Sequence, residues 1–203
     1  MPSQHTSRPD LPKTAQERGK VAPTKFAHIV FKTPRYDEMV DWYRTVLEAD
    51  IVMASPAVSF LAYDDEHHRV AFINMPELEA KPENAAGMDH CAFTFGSLED
   101  LFATYERLAA IGIKPYWCIN HGPTLSMYFQ DPDKNQVELQ IDVFEDNDAV
   151  SDWFKKSDFE TNPIGVKFDP DALIARFRKG EDRATLLDRP KIDPSEVPAQ
   201  FPS

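Results

Sequence analysis

Between residues 25 and 142 the apolar positions alternate between a spacing of two and a spacing of three to four, and they do so twice in the same order. The run KFAHIVFKT, residues 25–33, has strand composition and is stopped by Pro34. Over residues 36–49, Met39, Val40, Trp42, Tyr43, Val46 and Leu47 then recur at helical spacing. Three short strands are predicted next, at residues 51–54, 58–63 and 69–74, with Asp64, Asp65 and Glu66 as the polar turn before the third. After a loop over residues 76–86, residues 88–95 repeat the strand. Residues 97–111 repeat the helix, with Ser97 and Asp100 as a capping box, and residues 113–118, 125–129 and 137–141 supply three more strands.

The order βαβββ therefore occurs twice, in modules of about residues 24–76 and 87–143. His28 is followed by Tyr43, and His90 by Tyr105, at one shared offset. A single βαβββ unit leaves an open apolar face and an unpaired edge, so two such units are expected to pair around a common interior. The fold class predicted is α+β: two paired βαβββ modules forming one open barrel-like metal-binding domain over residues 24–143. Residues 1–23, polar and proline-rich, read as a flexible arm. Residues 144–203 read as an irregular C-terminal extension with one short amphipathic segment at residues 171–178, wrapping the domain or a partner.

Composition narrows the partners. Asp and Glu outnumber Lys and Arg by 34 to 22, and a formal charge of -12 repels nucleic acid phosphates and anionic membranes. No apolar run resembles a signal peptide or a membrane span. Cys91 and Cys118 form neither a disulfide framework nor a Cys-x-x-Cys pattern, so a cytoplasmic protein is expected. Exposed sheet edges point to a homo-oligomer.

The candidate chemistry follows from the repeat. His28 and His90 hold matching positions in the first strand of their modules, so a pseudo-twofold would bring both imidazoles into one interior. Glu138 stands between Val137 and Leu139, where an ionised carboxylate is costly without a compensating cation. Two imidazoles and one carboxylate with open positions form the donor set of mononuclear Fe(II) oxygenases, and Mn(II) accepts the same donors. The acidic DPDKN stretch, with Asp131 and Asp133, reads as a turn with Asx bonding and not as a calcium loop.

FAHIVF, MDHCAF and DPDKNQVEL resemble the vicinal oxygen chelate superfamily, which includes glyoxalases, epimerases, fosfomycin-resistance enzymes and extradiol dioxygenases, over roughly residues 24–142. The resemblance implies metal ligation by His28, His90 and Glu138. A glyoxalase I would add a carboxylate late in the first module, but the 48-residue interval from His90 to Glu138, laid onto His28, ends at residue 76, where no carboxylate sits. FLAYDDEHHRVAF and SMYFQDPDKNQVEL are similar to segments of one-domain type I extradiol dioxygenases, which cleave catechols with dioxygen and Fe(II).

That resemblance gives His68 an acid/base role, with His67 facing solvent. It makes Tyr128 the residue that bonds the catecholate, and it puts His121 near, though not in register with, another site histidine. Phe60, Phe72 and Trp117 are expected to line the pocket. The alternatives in the same fold are a non-redox divalent-metal epimerase, isomerase or lyase, and a small-molecule binding or resistance protein.

Overall fold

The computed structural model describes residue 19, residues 21–82 and 85–192, and residues 195 and 197. The predicted arm and the end of the extension lie almost wholly outside the described residues. The first module runs β1 (Ile29–Thr33), α1 (Tyr36–Leu47), β2 (Asp50–Ala54), β3 (Val58–Ala62) and β4 (Val70–Asn74). The second runs β5 (His90–Thr94), α2 (Leu98–Ala110), β6 (Trp117–Asn120), β7 (Thr124–Gln130) and β8 (Gln136–Asp142). The strands form two open mixed sheets, ordered β1-β4-β3-β2 and β5-β8-β7-β6-β9, where β9 (Val166–Lys167) comes from the extension. In each sheet the first strand lies parallel to the last strand of its own module.

Local chemistry explains most boundaries. Ser97 Oγ accepts the Asp100 N–H at 3.1 Å, so the predicted capping residue does cap α2. Helix α1 ends on Glu48, which takes a left-handed conformation at φ 50°. β6 starts four residues later than the apolar pattern predicts, because Pro115 has no N–H to give a ladder. β1 also starts late, at Ile29, so His28 precedes the strand instead of lying within it.

Alternation then sorts the second sheet. Val137, Leu139 and Ile141 of β8 join Leu125, Met127 and Phe129 in the main core, against Leu101 and Leu108 of α2. Gln136, Glu138 and Gln140 necessarily face the other way. Phe72, expected in a pocket, is instead fully buried on the helix side, within 5.8 Å of Phe31 and 5.2 Å of Tyr43 between ring centroids.

The extension carries more regular structure than its composition predicts. It contains α3 (Asn147–Lys156), β9 (Val166–Lys167), α4 (Pro170–Arg178) and α5 (Arg183–Leu187). Asp146, Asp169 and Asp182 cap the three helices through backbone N–H groups. Leu173, Ile174, Leu186 and Leu187 are buried in the same core as the two modules.

Candidate active site

Period-two geometry assembles part of the site on the face of the second sheet turned away from the helices. β5 and β8 pair with His90 beside Gln136, which puts His90 and Glu138 on one face. His90 Nε2 lies 3.0 Å from Glu138 Oε2, and its Nδ1 lies 2.6 Å from Asp89 Oδ2. A carboxylate only accepts, so Nδ1 donates to Asp89. The hydrogen bond to Glu138 raises the basicity of His90 to about 9, against the opposing effect of burial and with help from Asp89. Burial works against ionised Glu138, but hydrogen bonds from His90 and Ser126 outweigh it and lower its pKa.

Tyr128 stands directly opposite Glu138 in the β7–β8 ladder. Its ring lies edge-on to His90, with centroids 5.3 Å apart, and against Trp117 at 4.8 Å. Burial and then the Glu138 charge drive its hydroxyl pKa far up, so it remains a phenol. His121, just after β6, places Nε2 3.0 Å from the Tyr128 hydroxyl. Burial holds His121 below ordinary imidazole basicity.

The other histidines gather at the first sheet. The His28 ring stacks on His68 with centroids 4.3 Å apart, and Phe60 also stacks on His68, at 4.6 Å. Burial, followed by the proximity of His28 and His67, lowers the His68 pKa, so it is a neutral base at pH 7. His67 is solvent-facing, as expected, with its Nδ1 2.6 Å from that of His68.

Two of the three expected ligands thus meet, while His28 rests on His68. Among the described residues no three His, Cys, Asp or Glu side chains converge closely enough to hold one ion. The His90–Glu138 pair nonetheless fits a cation. A buried carboxylate and an imidazole nitrogen converge, the imidazole is oriented by a carboxylate on its far nitrogen, and a proton occupies the place of the charge. Asp89 was not among the predicted residues. Its signal lay in the MDHCAF motif itself, since ligating imidazoles commonly give their second N–H to a carboxylate.

Asp131, in the predicted turn, is structural. It accepts from Asn135 N at 2.8 Å and from the Tyr43 hydroxyl at 3.1 Å, tying the turn to α1.

Comparison with known proteins agrees with this architecture. The Glyoxalase/Bleomycin resistance protein/Dioxygenase superfamily matches residues 25–139. "Biphenyl-2,3-diol 1,2-dioxygenase 2" of Rhodococcus globerulus is 47% identical over 150 residues, covering 73% of this chain and 79% of its own. "Biphenyl-2,3-diol 1,2-dioxygenase 3" of the same organism is 39% identical over 167 residues, covering 81% and 88%. The glyoxylase/bleomycin resistance protein/dioxygenase domain from Frankia sp. EAN1pec shares the fold, with a TM-score of 0.50 at 19% identity over 60% of this chain and 99% of that one. With the matched region taking in both βαβββ modules up to β8, and with relatives this similar along most of the chain, the protein belongs to the Glyoxalase/Bleomycin resistance protein/Dioxygenase superfamily.

Proposed function

We propose that the protein is an Fe(II)-dependent extradiol dioxygenase that opens a catechol-type ring beside its diol, consuming dioxygen and no external reductant. The observation that carries this reading is the convergence of His90, Glu138 and Tyr128 on one sheet face, in a chain 47% identical to a biphenyl-2,3-diol dioxygenase. His28, the exposed residue just before β1, is the third ligand of this reading and reaches the ion by turning from His68.

An iron ion held by these three side chains would supply two-point chelation of the diol and electron transfer to dioxygen. The other groups do ordinary acid/base work. Neutral His68 accepts a diol proton, and the Tyr128 phenol hydrogen-bonds the diol oxygen and so fixes the ring's orientation. Phe60, stacked on His68, and Trp117, packed at a tilt against Tyr128, give the diol apolar walls.

The same reading keeps the protein in the cytoplasm, in accord with its two free thiols, and self-associating. Strand β2 supports self-association, since it edges its sheet with Ile51, Val52 and Met53 exposed. Anaerobic purification, metal analysis and addition of 2,3-dihydroxybiphenyl in air test the function. Stoichiometric iron and an oxygen-dependent yellow product, both lost in Glu138→Ala, are expected. Iron without product across varied catechols would move the assignment to a non-redox lyase or epimerase.

A further inference from the structure

The sheet that carries Glu138 continues beyond β6 into the extension, where Val166 and Lys167 of β9 pair with Asn120 and Ile119. His121 follows that pairing directly and is held from three sides. Its Nδ1 is hydrogen-bonded to the carbonyl of Ile164. Its own carbonyl accepts from Arg189 Nη1 at 3.0 Å, while Nη2 of the same guanidinium donates to Asp158 Oδ1 at 2.9 Å and to the Asn162 carbonyl at 2.8 Å. The guanidinium also lies 5.4 Å from the centre of the Trp153 ring. That ring packs onto the backbone of Gly122, where a Cβ would come within 2.0 Å of it.

A carbonyl has no proton to offer, so the Ile164 contact requires the hydrogen on Nδ1 of His121. In the neutral ring Nε2 is then an acceptor, and the group facing it is the Tyr128 hydroxyl. Tyr128 has one proton and a second acceptor opposite it, Glu138. Directed at His121, that proton leaves Glu138 with its hydrogen bonds from His90 and Ser126 and turns the phenol's lone pairs to the pocket.

We propose that the extension is a built part of the site: the Ile164 carbonyl fixes His121 as its Nδ1–H tautomer, and Arg189 is a positioning residue that keeps Nε2 of His121 where it accepts the hydrogen bond of the Tyr128 hydroxyl. The proposal rests on the reading of Tyr128 as the group that meets the diol. Arg is suited to the task because its rigid planar fork reaches these acceptors from two separate nitrogens, whereas a lysine ammonium is a single point on a flexible stem.

The test uses full-length, metal-free, 15N-labelled protein and two-bond 1H–15N imidazole spectra, with His121 assigned by its loss in His121→Gln. Wild type is expected to show a single neutral ring with a protonated Nδ1 and a bare Nε2. Arg189→Lys, folded by its melting curve, is expected to give mixed tautomers. Its kcat in ring cleavage should fall roughly 10- to 100-fold with little change in KM. Added guanidinium should restore the spectrum of Arg189→Ala.

A wild-type ring protonated on Nε2 would overturn the proposal without any variant. So would an unchanged His121 spectrum in folded Arg189→Lys. If the Nδ1–H lock is seen and depends on Arg189, yet no catechol is opened by wild type, the positioning stands and the assignment of function falls.

Discussion

At the scale of single residues, the second sheet gathers groups whose protons are all displaced from their ordinary ranges. Without a bound ion, His90 is held cationic and Glu138 ionised by their mutual contact and other hydrogen bonds, against burial, whereas burial above all keeps Tyr128 a phenol and His121 neutral. Tyr128→Phe keeps the ring that packs on Trp117 and removes only the hydroxyl. Iron content is therefore expected to remain stoichiometric while kcat/KM falls on the order of 100-fold, measured by steady-state ring cleavage. The thiols behave oppositely to reactive ones: burial pushes Cys91 up to about 11 and Cys118 up to about 12. Neither is expected to react appreciably with a disulfide reagent at pH 8 until the chain is denatured. Since both folded values exceed the unfolded thiol value of about 8.5, the unfolded chain ionises first. Stability measured by urea unfolding should be retained below that pH and fall as pH rises towards 11.

At the scale of elements, the two modules are joined by a turn as well as by their core. Asp131 is buried in the β7–β8 connection, yet it accepts from Tyr43 of α1, and Arg35 Nη1 donates to the Pro132 carbonyl at 2.6 Å. Tyr43→Phe removes one donor to a buried carboxylate that Asn135 still satisfies in part. A loss of about 1 to 3 kcal/mol is expected, read as a melting midpoint lower by several degrees. An unchanged midpoint would mean that the turn does not brace the modules. Ser97 and the DPDKN turn were legible because capping and Asx bonding are local, decided within a few residues. The late start of β1 was not, because ladder pairing depends on the partner strand, whereas that of β6 was marked locally by Pro115.

At the scale of the whole molecule, the extension is the element whose role composition concealed. Its helices are of ten, nine and five residues, and the second shows a readable period, the amphipathic segment at residues 171–178. The signals available were three capping aspartates and the apolar pairs Leu173–Ile174 and Leu186–Leu187. Those four side chains are buried in the shared core, and full burial of each contributes roughly 1.5 to 3 kcal/mol. A chain ending at Val143 should therefore lose most of its soluble yield and aggregate on size-exclusion chromatography. A soluble, cooperatively unfolding truncation would refute that.

The sequence by itself determined the twofold βαβββ order, because apolar periodicity is a property of adjacent residues, and its motifs carried the resemblance to the family and the choice of His90, Glu138 and Tyr128. Tertiary structure decided which expected neighbours meet. It set His28 on His68, buried Phe72 against the helices, and brought Ile164 and Arg189, 43 and 68 residues away, onto His121. Contacts at such separations follow from how whole elements pack, and no local pattern carries that information.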